Sequence, residues 1–119
     1  MITPKDNPLL LAQEAVLALE AKQAQQVELY DVRDLAMLTD CVVIATAQNT
    51  PHLKALFNAV RLRFKAEGLA CYRKSGDQES GWIMADYLSL VIHLFLPFSR
   101  EYYGLDILLR SAARPGPAR

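Results

Sequence analysis

The sequence predicts an α/β domain, a mixed sheet of about five strands flanked by helices. Three observations predict it. Two stretches, over residues 8 to 24 and 50 to 68, carry apolar residues at helical spacing. Cys41-Val42-Val43-Ile44-Ala45-Thr46 is a continuous, largely β-branched run of the kind buried on both faces of a sheet. Trp82 to Asp86 and Leu90 to Phe95 read as an antiparallel pair around Tyr87-Leu88-Ser89. The resulting order α, β, β, α, β, β, β, with one helix-sized crossover, fits helices packed on at least one face of a mixed sheet. The 119 residues suit one domain. A chain of this size buries a core without a metal or disulfide.

Asn7-Pro8 supplies a helix cap followed by proline at the first helical position, and Leu9, Ala12, Val16 and Leu19 recur at spacings of three and four. A first helix over about 8 to 24 follows, ended by Gln23 to Gln26 without a glycine. Val27 to Val32 is a short strand, and Cys41 to Thr46 the central one. Thr50-Pro51 repeats the cap-plus-proline start; Leu53, Leu56, Phe57, Val60 and Phe64 share a face, and Gly68 closes this second helix. Leu69 to Arg73 reads as a third strand and Ser75 to Gly81 as a polar loop before the antiparallel pair. Pro97 stops the last strand, and Arg100 to Leu109 forms one or two short helical turns interrupted by Gly104. Residues 1–7 are an N-terminal extension, 8–110 the domain, and 111–119, with Arg114-Pro115-Gly116-Pro117, a disordered C-terminal tail.

Composition narrows the function classes. The chain is 52% hydrophobic and 22% charged, which fits a globular protein and excludes intrinsic disorder. Thirteen basic and thirteen acidic residues leave no net charge, which argues against a bulk-electrostatic nucleic-acid binder. A partner must be chosen by a patch, and charge is segregated along the chain. Residues 1–50 carry three basic and seven acidic groups, net −4; residues 51–74 carry six and one, net +5; residues 75–106 carry one and five, net −4. No leader pattern or apolar window of membrane-spanning length is found, and two cysteines within apolar runs, Cys41 and Cys71, read as small buried hydrophobes. A cytoplasmic protein is expected.

The candidate chemical groups are isolated ones. His52, His93, Cys41 and Cys71 have neither i, i+4 nor C-x-x-C spacing, so neither a metal nor a cofactor is expected. Asp77 and Glu79 resemble a carboxylate pair, yet their neighbours Ser75, Gly76, Gln78, Ser80 and Gly81 favour a solvated hairpin tip. Lys54, Arg61 and Lys65 form a basic stripe along the second helix, either a solvated face or a contact for nucleic-acid phosphates. Alternation puts Trp82, Met84 and Asp86 on one face of their strand and Ile83 and Ala85 on the other. His93 alternates with Val91 and Phe95 in the same way. A face with both Trp and Asp suits a contact surface better than a core, because indole rings are over-represented at interface hot spots.

These residues carry a family resemblance. Gly81-Trp82-Ile83-Met84-Ala85-Asp86-Tyr87, then His93-Leu94-Phe95-Leu96-Pro97, then Arg100-Glu101-Tyr102-Tyr103-Gly104-Leu105 resemble the C-terminal signature of the ribosomal silencing factor (RsfS, iojap-like) family. Asp31-Val32, Leu38-Thr39-Asp40, Val43-Ile44-Ala45-Thr46 and His52 resemble its N-terminal half. The likeness spans roughly residues 8 to 109. It implies a nucleotidyltransferase-like fold without the catalytic Gly-Ser and paired aspartates of true transferases, and no enzymatic activity. It implies binding to the large-subunit ribosomal protein numbered fourteen, with steric exclusion of the small subunit when nutrients are scarce; many members form homodimers. The implied partner-binding surface is Trp82, Asp86, Tyr87 and Leu88, supported by His93 and Tyr103. Two departures stand out: Leu88 replaces a small residue, and Ala47-Gln48-Asn49-Thr50-Pro51 lacks the usual glycine and the arginine before the histidine. The alternatives are a small-molecule enzyme using Asp77, Glu79 and His93, and a homodimeric assembly module built on the Trp82 face.

Overall fold

The computed structural model describes residues 6–34, 39–112 and 114–115. Leu38 and most of the expected terminal segments lie outside them. Helix α1 (Pro8–Ala21) starts as its cap dictates, with the Asn7 side chain accepting from the backbone N–H of Leu9 at 3.0 Å and of Leu10 at 3.3 Å. It ends at Ala21, short of the expected residue 24, and just past its C-cap Lys22 the chain turns at Gln23, which takes the left-handed conformation (φ 66°) that a glycine would adopt at no cost. Strands β1 (Gln25–Asp31) and β2 (Cys41–Thr46) pair antiparallel, and every residue of β2 is buried.

Helix α2 (Thr50–Lys65) is capped by Asn49 instead of Thr50, which occupies the first turn; the Asn49 carboxamide oxygen accepts from the His52 N–H at 2.9 Å. The His52 ring pins this corner. Its Nδ1 accepts from the Gln48 N–H at 2.9 Å and its Nε2 donates to the Lys22 carbonyl at 2.7 Å, which requires the neutral Nε2–H tautomer and ties α2 to the end of α1. His52 is thus a positioning residue of the fold, away from the open face described below.

The third strand is displaced from its expected place. Leu69 and Cys71 pack against the core from irregular chain, and β3 (Arg73–Asp77) runs through the expected polar loop. It is exposed throughout, held by its pairing with β4 (Trp82–Asp86). Gly76 permits that pairing at φ 77°, since a Cβ there would stand 2.1 Å from the Trp82 carbonyl oxygen. Strand β5 (Leu90–Phe95) pairs antiparallel with β4 and parallel with β2. Pro97 both stops β5 and opens α3 (Pro97–Tyr103), three residues before the expected helical turns; Gly104, at φ 62°, separates it from α4 (Leu105–Ala112). Arg114 and Pro115, expected in an unstructured tail, form β6 against β1. The sheet order is β3-β4-β5-β2-β1-β6.

The two faces of this sheet are covered unequally. Helices α1 and α2 lie on one face, burying Leu11, Val16 and Leu19, then Leu53, Leu56 and Phe64, against Val43, Ile83, Ile92 and Leu94. Arg63 ties the two helices, pairing with Glu14 of α1 and with Glu67 at 3.2 Å. On the other face a smaller cluster joins Tyr30, Val42, Ile44 and Phe95 to Leu105 and Leu109 of α4. Met84, Asp86, Val91 and His93, on the β4–β5 half of that face, are only partly buried. Among the described residues no helix is long and apolar enough to cross a membrane.

Candidate functional site

The open half of the sheet is built by strand alternation. Trp82, Met84 and Asp86 project from β4 onto this face, beside Val91 and His93 from β5. The indole is half-buried, neither bare nor in the core. One side packs on Phe95 (centroids 5.1 Å apart) and Tyr103 (4.4 Å), while Trp82 lines a cavity of about 320 Å³ with Ser75, Gly76, Ser80 and Met84.

His93 orients the indole. Trp82 Nε1–H donates to His93 Nδ1 at 3.0 Å, so the imidazole must be neutral with its proton on Nε2. Burial supplies that state, holding the His93 pKa down to about 4. The sign of the linkage follows. An unfolded histidine protonates near 6.5 and the folded one near 4, so stability falls as the pH drops between those values and is unaffected by this group above them. The loss is on the order of 3 kcal/mol. Urea unfolding from pH 4 to pH 8 should show it in the wild type, and His93→Gln should lack that part of the acid limb; identical limbs would contradict the assignment.

The other expected site residues fall into two groups. Asp86 accepts from the Leu88 N–H at 2.8 Å and pairs with Arg73 at 3.5 Å, so its carboxylate shapes the β4–β5 turn. Leu88 sits at the tip of that turn, 58% exposed and at φ 72°. A left-handed leucine is strained by ~1–2 kcal/mol, and a glycine there would not be. Tyr103 is 47% exposed and edges the indole. Tyr87 does not belong to this surface. It is 7% exposed and faces the α2 side, its ring edge-on to Phe64 at 4.8 Å, with burial and then the Cys71 thiol pushing its hydroxyl pKa up to about 12. Alternation from Ile83 and Ala85 requires this, since Tyr87 is the next residue on the core face.

The residues of the enzyme alternative are not assembled. Asp77 and Glu79 line a cleft beside α2 with Lys54, Phe57 and Lys74, whereas His93 lies on the opposite face behind Trp82. The Asp77 carboxylate accepts from the Ser80 N–H at 2.8 Å and so closes the hairpin turn. Among the described residues no cluster of His, Cys, Asp and Glu could hold a metal. Cys41 is buried and its thiol pKa is raised to about 11 by burial and then by Asp31; both Cys41 and Cys71 are free. Lys54, Arg61 and Lys65 are exposed on α2, away from the Trp82 face. Sequence reasoning missed Phe98 and Tyr102, 79% and 73% exposed on α3. Placing Pro97 at the first helical position would have put them on one outward face.

Comparison with known proteins agrees with this architecture. A crystal structure of a Chromobacterium violaceum protein superposes with a TM-score of 0.80 at 27% identity, over 92% of this chain and 90% of that one. A Bacillus halodurans crystal structure gives a TM-score of 0.73 at 26% identity, over 82% and 91%. In sequence, the chain is 29% identical over 94 residues to the ribosomal silencing factor RsfS of Chromobacterium violaceum, covering 79% of this chain and 77% of that protein. It is 33% identical to the chloroplastic protein Iojap of Arabidopsis thaliana, over 71% of this chain and 35% of that one. The family model described as "Ribosomal silencing factor during starvation" matches residues 4–117, and the chain belongs to that family.

Proposed function

We propose that the chain binds the large ribosomal subunit at ribosomal protein fourteen through the Trp82 face and blocks joining of the small subunit, repressing translation when nutrients are limiting. The mechanism is occupation, without catalysis or a cofactor, in the cytoplasm. A patch of ~800 Å² per partner suffices for a stable contact of this kind. The observation that carries the reading is the indole of Trp82, packed on one side, hydrogen-bonded by His93 and left open over a cavity on the other. Such half-seated aromatics are what hot spots consist of.

Leu88 supports the same reading. A large apolar residue held at positive φ, and mostly exposed, returns little to the fold. Strain of this type without internal compensation marks a contact made with something else. The charge of the surroundings also fits, since residues 75–106 are net −4 and ribosomal proteins are generally basic. The stripe Lys54, Arg61 and Lys65 lies on another side, where it is free to meet ribosomal RNA.

The test is co-sedimentation with purified bacterial large subunits, followed by addition of small subunits. The expected result is a stable complex with large subunits and a loss of joined ribosomes proportional to occupancy. Joining that proceeds unchanged on saturated large subunits would refute the proposed mechanism.

A further inference from the structure

We infer that the docking surface continues from Trp82 onto the outward face of α3, where Phe98, Glu101 and Tyr102 form a cradle for an arginine or lysine side chain of the same basic protein partner. This rests on the Trp82 reading above and adds residues and a chemistry to it.

The cradle follows from helical spacing. In Pro97–Tyr103 the inward positions are Ser99 and Arg100, both buried, so Phe98, Glu101 and Tyr102 must point away from the sheet. The Phe98 and Tyr102 rings lie 6.2 Å apart with their planes 11° from parallel, and 79% and 73% of their surfaces remain exposed. The patch is continuous with the first site. Tyr103 meets Tyr102 edge-on at 5.1 Å and the Trp82 indole at 4.4 Å.

This surface is held rigidly by residues that are not part of it. Arg100 anchors α3 to β1 and β2, and the Ser99 hydroxyl donates to the Ser80 carbonyl at 3.3 Å, joining α3 to the β3–β4 turn. Nothing in the interior requires Phe98 or Tyr102 to be aromatic. An exposed, ordered pair of that kind is costly in water and characteristic of a recognition surface.

Charge selects the occupant. Glu101 is exposed on the same helix, one turn from Phe98, Asp86 is on the open sheet face, and the guanidinium of Arg100 is committed to Asp106 inside. Arg73 already pairs with Asp86. A phosphate backbone would meet carboxylates and ring faces here, whereas a guanidinium or ammonium gains a cation–π contact and a counter-charge at once. The basic stripe Lys54, Arg61 and Lys65 stands on α2.

The experiment is co-sedimentation with purified bacterial large subunits at fixed ionic strength, using wild type, Trp82→Ala, Phe98→Ser/Tyr102→Ser and Glu101→Lys, with thermal melts and sedimentation mass measured alongside. The α3 double variant should bind at least tenfold more weakly with its melting temperature and mass unchanged. Glu101→Lys should weaken binding, and further than a Glu101→Gln variant measured beside it. If the double variant binds like wild type while Trp82→Ala does not, the cradle is refuted and the Trp82 reading survives. If the wild type fails to bind, both fall. Stronger binding by Glu101→Lys would identify an anionic, RNA-like occupant, and a dimer turned monomer by the double variant would identify a second copy; either overturns the proposal.

Discussion

Arg100→Met should cost the fold about 3–5 kcal/mol in urea unfolding, because it strands a buried carboxylate. Arg100 donates from Nε and Nη2 to the two Asp106 oxygens at 2.8 and 2.9 Å, and from Nη1 to the Thr46 hydroxyl at 2.8 Å and the Gln26 carbonyl at 2.6 Å. One side chain therefore joins α3, α4, β1 and β2. The Tyr30 hydroxyl adds a further donor to Asp106 at 3.3 Å. Burial alone would raise the Asp106 pKa; the hydrogen bonds and charge of Arg100, with the Tyr30 bond, outweigh it and hold the carboxyl below its usual range. The stability from this depressed pKa is present above about pH 4 and is lost as the pH falls through the folded-state value. Arg100→Met/Asp106→Leu should recover most of the loss, since a buried ion pair replaced by apolar groups is often nearly neutral. A single variant within 1 kcal/mol of wild type would mean that the network contributes little.

Trp82→Ala should weaken binding to large subunits by at least about 2 kcal/mol, roughly thirtyfold, while costing the fold a comparable amount. The second part reflects the half-buried position of the ring. Truncation of a fully buried tryptophan costs ~3–5 kcal/mol, and this ring has one packed side, on Phe95 and Tyr103. Trp82→Phe separates the two effects. It keeps much of the stacking but loses the N–H that His93 accepts, so stability should stay within about 1.5 kcal/mol while binding still drops about tenfold. If Trp82→Phe unfolds as readily as the alanine variant, the indole serves the interior. If it binds like wild type, the indole N–H and its tie to His93 do not matter for docking.

The elements legible in the sequence are those whose side-chain pattern and burial agree. Strand β2 reads as continuous because both its faces are covered, and β4 and β5 read by alternation because one face is core and the other open. Strand β3 was unreadable for the opposite reason. Arg73-Lys74-Ser75-Gly76-Asp77 buries nothing, and it is a strand only because β4 offers it hydrogen-bond partners. The apolar residues Leu69 and Cys71 pack on the core without regular structure and so gave a false strand signal. In the candidate site, alternation alone places Trp82 and Asp86 on the open face, whereas His93 and Tyr87 enter through the family motif, Tyr87 against its own place in that alternation. The strain at Leu88 and the ring contacts among Trp82, Tyr103 and Tyr102 are long-range or conformational facts that no local pattern encodes.

The most direct measurement is hydroxyl-radical footprinting of the chain alone and bound to large subunits. Trp82, Met84 and Tyr103 should lose reactivity on binding, while Leu17, exposed on α1, should keep its own. Protection of Leu17 with Trp82 and Met84 still reactive would place the ribosome on the wrong side of the sheet for this account.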